Sequence, residues 1–168
     1  MSDHTRRSVR LPGFDYASQG AYYITLVTAD RACLFGRLEA DELKPSALGA
    51  IVIKEWRATP IVRPGVTLGA FVAMPNHLHA VVWLPKSDVE PKTRPKGYSD
   101  RSLSSLVSGY KATVTRQHRA ATRNDSAVVW QRSFYEHVIR DEDDLAAIET
   151  YIDQNPSRWA DDAENRWR

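Results

Sequence analysis

Cysteine is the scarcest chemistry-bearing residue in this chain. Cys33 is the single one in 168 residues, which excludes an internal disulfide and any cysteine-built zinc site and suits a reducing compartment. Long apolar runs are missing as well. No stretch approaches the roughly 20 residues a membrane-spanning helix needs, and the polar, basic start at residues 1–10 carries no apolar segment of the kind that directs secretion. A cytoplasmic protein with no membrane partner is therefore expected. Neither sign of charge dominates: 23 Lys and Arg face 21 Asp and Glu, a formal net charge of +2. Bulk charge thus points to no polyanionic partner, and only local clustering could. Internal repeats and linker-like breaks in composition are also lacking, so residues 1–168 are expected to form one domain, large enough to bury a core.

What is present is hydrophobic patterning that switches between two periods. Residues 21–28 are aromatic and β-branched and read as a central strand, with a further short strand near Arg37, Leu38 and Glu39. Ser46 is placed to cap a helix whose Leu48, Ile51, Val52 and Trp56 recur at helical spacing and which Pro60 closes. Residues 66–73 form the next strand. Pro75-Asn76 joins it directly to an apolar run from His77 that Pro85 stops, so the two should pair as an antiparallel hairpin. Residues 86–100 make a basic, proline-containing loop. Ser102 then caps a helix with Leu103, Leu106, Val107, Tyr110 and Val114 on its inward face. Residues 127–139 are extended and return to the sheet. Asp141 to Asp144 suit the positive end of a last helix, whose Leu145, Ile148 and Ile152 face inward and which Asn155-Pro156 ends. The expected fold is α+β: an antiparallel sheet with helices packed on one face, close to the ferredoxin-like split β-α-β arrangement.

Two pairs of residues in this frame carry chemistry. His77 and His79 stand two apart on a strand, so both imidazoles project from the same face while Leu78 faces away. Two imidazoles held side by side make half of a metal site, although a His-x-His pair alone serves equally as a structural feature. Tyr151 and Asn155 stand four apart on the last helix, presenting a phenol and an amide on one face. A phenol ionises near pH 10 unaided, so it becomes a useful nucleophile only where its charge is neutralised, and a metal-bound phosphate does this. Arg6, Arg7 and Arg10 in the leading segment, and Lys111, Arg116 and Arg119 along the second long helix, are the basic clusters that could follow a phosphate backbone. A frayed tail is the competing reading for the first and a solvated face for the second.

His77-Leu78-His79 together with the run from Tyr151 to Pro156 resembles the HUH single-strand endonucleases, and within them the REP-associated tyrosine transposases. The segments from Arg7 to Tyr16, from Met74 to His79 and from Trp130 to Asp141 are similar to that family in the same order, so the likeness covers residues 6–159. The resemblance implies the RRM-like HUH endonuclease fold and a DNA strand transferase acting on single-stranded, hairpin-forming DNA. Tyr151 would be the nucleophile that keeps the 5′ phosphate. His77, His79 and Asn155 would hold Mg²⁺ or Mn²⁺, with Gln154 the competing third ligand. It further implies a nucleoid-associated protein, monomeric or homodimeric. A non-cleaving nucleic-acid-binding module of the same fold, and a hydrolase using the histidine pair to activate water, are the rival readings.

Overall fold

The computed structural model describes residues 20–85 and 102–161. Strand β1 (Gly20–Val27) lies inside a four-stranded antiparallel sheet, with β5 (His77–Leu84) on one side and β6 (Tyr135–Ile139) on the other; β4 (Thr67–Ala73) forms the edge beyond β5. The order β4-β5-β1-β6 places the hairpin formed across Pro75-Asn76 next to a pair made by the first and last strands, which is the split β-α-β arrangement. Register sets the chemistry that follows, because His79 stands opposite Thr25 and His77 opposite Val27.

The pleat divides the sheet into two faces. Tyr22, Ile24 and Leu26 on β1 join Leu78, Ala80 and Val82 on β5 in a core closed by α1 (Ala47–Arg57) and α3 (Leu103–Thr122), which contribute Trp56, Leu103 and Leu106. Both helices begin where their caps predict: the Ser46 hydroxyl accepts from the Gly49 N–H at 3.0 Å, and the Ser102 hydroxyl accepts from the Ser105 N–H at 3.2 Å. Gly49 is required by close approach, since a Cβ there would lie 1.9 Å from the Phe35 carbonyl oxygen. α1 ends at Arg57, earlier than Pro60 suggests. Pro60 instead sits in the first turn of a short separate helix, α2 (Thr59–Val62), where a missing N–H leaves no bond unmade.

The second face is covered by α4 (Glu142–Gln154), which packs across β4 and β5. Ile152, Leu145 and Ile148 meet Tyr23, Val81 and Ile139 there in a smaller cluster. The expected layering of helices on one face thus describes α1 and α3, while α4 is added on the other side. Two local differences accompany this. The charged stretch before α1 forms a complete hairpin, β2 (Gly36–Glu39) with β3 (Glu42–Pro45). Of the extended segment 127–139 only Tyr135–Ile139 joins the ladder; upstream, Trp130 makes a single bridge to Thr28. Val129 and Trp130 are buried by docking into the main core, so pairing is not needed to exclude them from water.

Candidate active site

His77 and His79 project from β5 onto the second face and are buried, at 0% and 3% exposure. Their Nε2 atoms lie 3.0 Å apart. The turn before them sets the first ring. Asn76 Nδ2 donates to the Arg31 carbonyl at 3.0 Å, which leaves Asn76 Oδ1 against His77 Nδ1 at 2.8 Å. An amide oxygen only accepts, so His77 carries its proton on Nδ1 and presents a lone pair on Nε2. Burial pushes the His77 imidazole down to about 4, the Arg31 charge adds to this, and the Asn155 side chain opposes it. The ring is therefore neutral at physiological pH, the form a cation requires. His79 Nδ1 lies 2.8 Å from the Tyr23 hydroxyl and 2.9 Å from the Thr25 hydroxyl, both on β1.

The last helix delivers the other pair. The Asp141 carboxylate caps it by accepting from the Asp144 N–H at 2.8 Å, and Glu142, Asp143 and Asp144 fill its positive first turn. His137 on β6 binds Asp144 at 2.8 Å, and this contact is the chief cause holding the Asp144 carboxyl below its ordinary value. One end of α4 is thereby tied to the sheet. At the other end the Tyr151 ring centroid lies 5.3 Å from that of His79, edge to face, and 6.4 Å from that of Tyr23. Tyr151 remains 43% exposed, whereas Asn155 is 3% exposed beside His77. Gln154 faces solvent. Trp159, after the helix, lies 5.9 Å from the His77 ring, centroid to centroid.

No family model matches the sequence. An uncharacterised protein of Haemophilus influenzae is 35% identical over 170 residues, spanning 95% of this chain and 92% of that one. A solved structure of a REP-associated tyrosine transposase bound to a REP hairpin matches with a TM-score of 0.62 at 22% identity, over 89% of this chain and 74% of that one. That likeness establishes the fold. A second Haemophilus influenzae protein, described as a candidate REP-associated tyrosine transposase, is 27% identical over 146 residues, 84% of this chain and 73% of that one. The chain is similar in sequence and in fold to REP-associated tyrosine transposases.

The buried donors of this site suit a divalent cation. An octahedral ion with bonds of about 2.1 Å holds neighbouring ligands about 3.0 Å apart, which is the separation of the two Nε2 atoms. Asn155 Oδ1 is buried and completes no hydrogen bond of normal geometry, although its amide lies close enough to influence His77. Among the described residues no three His, Cys, Asp or Glu side chains cluster as a metal site, so the third donor a cation would meet beside the histidines is the Asn155 amide.

Lys111, Arg116 and Arg119 are not brought to this site. Arg6, Arg7 and Arg10 lie outside the described residues, as does the basic loop at 86–101. Lys111 donates to the Gln131 and Ser133 carbonyls at 2.9 and 3.0 Å, with burial pulling its ammonium down to about 8. Arg119 Nε donates to the Ala127 carbonyl at 3.0 Å. Both fasten α3 to the segment that follows it, and Arg116 is the exposed member of the row. Contributors to the site that were not singled out from the sequence include Arg31, Tyr23, Thr25, Asn76 and Trp159. The period-two alternation of β1 places Tyr23 and Thr25 on one face, but only register shows which face and opposite which partner. Arg31 has no local signal at all.

Proposed function

We propose that this chain is a divalent-metal-dependent endonuclease and strand transferase for single-stranded, REP-like hairpin DNA, working through a 5′-phosphotyrosine at Tyr151. The observation that supports it is the meeting of a half-exposed phenol with a buried imidazole pair and a buried amide on one sheet face. His77 Nε2, His79 Nε2 and Asn155 Oδ1 would hold Mg²⁺ or Mn²⁺, which when bound polarises a phosphoryl oxygen and offsets the charge that develops on it. All three ligands are neutral, so the ion's charge is left for an anionic substrate. Tyr151 Oη attacks phosphorus. The Oη–P bond forms as the P–O3′ bond breaks, the phenolic proton passes to solvent, and the departing O3′ takes up a proton to become a 3′ hydroxyl. The phosphotyrosine keeps the bond energy, so a second 3′ hydroxyl can attack it and join strands without a nucleotide cofactor. Such an enzyme would act at the nucleoid, as a monomer or homodimer.

The test uses Mn²⁺ and a panel of single-stranded hairpins flanking the gene in its own genome, labelled on the side 3′ of the cut. Wild type should give a labelled band that survives denaturation and maps to Tyr151. Tyr151→Phe, His77→Ala and His79→Ala should each lose it, as should wild type in excess EDTA, while hairpin binding persists. An adduct that remains in Tyr151→Phe, or maps to Tyr110 or Tyr135, would show that the nucleophile is wrong. Cutting without any adduct would favour a hydrolase that activates water, and tight binding without cutting would favour a non-cleaving module.

A further inference from the structure

We infer that Tyr23 and Thr25 are positioning residues that let His79 carry its proton on either ring nitrogen, and so allow the imidazole pair to accept a cation; this rests on the metal reading proposed above. The two rings are held differently. His77 has its Nδ1 proton fixed by an amide oxygen whose orientation is itself fixed by the Arg31 carbonyl. His79 has its Nδ1 between two hydroxyls, 2.8 Å from Tyr23 and 2.9 Å from Thr25. A hydroxyl either donates or accepts by turning about its C–O bond, which an amide oxygen cannot do.

That difference matters because the two Nε2 atoms face each other at 3.0 Å. His77 Nε2 is a lone pair. Without a cation, a second lone pair on His79 Nε2 would repel it, so His79 places its proton on Nε2, donates to His77, and takes a hydrogen bond at Nδ1 from a hydroxyl. With a cation bound, both Nε2 atoms must be lone pairs. The His79 proton then resides on Nδ1 and is donated to a hydroxyl oxygen. The change moves one proton from Nε2 to Nδ1 through solvent exchange, with no net gain or loss. Tyr23, Thr25 and His79 are 9%, 8% and 3% exposed, so water is a poor substitute and an Nδ1–H left without an acceptor would be strongly disfavoured. The Thr25 hydroxyl also donates toward the Tyr23 oxygen at 3.3 Å, which keeps the pair hydrogen-bonded while the ring between them changes state. Tyr23 additionally meets the Tyr151 ring edge to face, so one side chain touches both halves of the site.

The experiment replaces the hydroxyls and keeps their shapes: Tyr23→Phe, Thr25→Val, and both together, with Thr25→Ser as the conservative control. Long-range ¹⁵N–¹H imidazole spectra of the full chain, with and without saturating Mg²⁺, read the tautomers directly. Mn²⁺ affinity is measured by electron paramagnetic resonance in the absence of DNA, and backbone amide spectra report that each variant is folded. In wild type, His79 should carry its proton on Nε2 without cation and on Nδ1 with it, while His77 keeps Nδ1–H throughout. The double variant should bind Mn²⁺ about 10–100-fold more weakly, and Thr25→Ser should match wild type. Wild-type Mn²⁺ affinity in a folded double variant, or a His79 tautomer indifferent to Mg²⁺ while the ion binds, would overturn the positioning role and leave the cation site standing. No response of either ring to cation would overturn the cation site itself, and this inference with it.

Discussion

Burying a histidine that must stay neutral couples the pH response of the fold to the readiness of the site. The His77 imidazole falls from 6.5 in the unfolded chain to about 4 when folded, chiefly through burial. Between those values the unfolded chain takes up a proton that the folded chain refuses. The stabilising contribution of a neutral His77 is thus fully present above pH about 6.5 and drains away as pH falls toward 4, by about 3 kcal/mol in total. Urea unfolding in EDTA should therefore show a loss of stability from pH 7 to pH 4.5 that is clearly smaller in His77→Asn. Equal pH slopes in the two proteins would contradict the burial assigned to this ring. The same residue shows what a sequence hides. The spacing of His77 and His79 is legible as a shared face, but the Asn76 contact that chooses the proton's position depends on Arg31, whose turn reaches the site only after folding.

At the scale of the element, local rules placed the starts of α1 and α3, and tertiary contact chose some of the residues within them. Ser46 and Ser102 are caps that any reading of helix ends would select, and α3 buries Leu103, Leu106, Val107, Tyr110 and Val114 as its spacing predicts. Gly49 runs against local preference. Alanine in a helix interior is ordinarily better than glycine by about 1 kcal/mol, yet a Cβ at this position would press on the Phe35 carbonyl oxygen at 1.9 Å and its carbon at 2.9 Å. Phe35 cannot yield as a flexible side chain does, because its N–H binds the Pro75 carbonyl and its carbonyl binds the Ser46 N–H, each at 2.9 Å. Gly49→Ala should destabilise the chain by about 1–3 kcal/mol, read from the denaturant midpoint; a more stable variant would mean that helix propensity wins. Lys111 gives the opposite lesson. Its place in a basic row suggests a phosphate contact, but the segment after α3 leaves carbonyls in need of a donor, and Lys111 reaches two of them.

Over the whole molecule the sheet carries two cores of unequal size, and each has its own task. The larger one, under α1 and α3, holds the fold. The smaller one, built on Tyr23, Val81 and Ile152, holds α4 and with it Tyr151 and Asn155. Ile152 is 3% exposed, and truncating a buried isoleucine ordinarily costs about 2–5 kcal/mol. Because α4 rests on the smaller core, Ile152→Ala should act mainly by opening that helix locally. Amide exchange should quicken along residues 142–154 while β1 and β5 stay protected, and the Tyr151 adduct should diminish. Global unfolding with uniform loss of protection would show that the two faces form a single cooperative unit.

From sequence alone came the strands and caps, the hairpin across Pro75-Asn76, the shared face of the two histidines and the helical spacing of Tyr151 and Asn155. These are properties of backbone period and turn chemistry, which act over a few residues and are written locally. Which face of the sheet receives α4 was decided elsewhere. An inward stripe of Leu145, Ile148 and Ile152 specifies that the helix must pack, and is silent about the side; the side follows from β6 entering next to β1 and from the apolar surface left open by Tyr23, Val81 and Ile139. The pairing of Thr25 with His79, the Arg31 carbonyl beneath Asn76 and the capture of Lys111 by backbone carbonyls likewise join residues far apart in the chain. Such contacts are settled by register and by the need to satisfy buried polar groups, and both exist only once the chain has closed on itself.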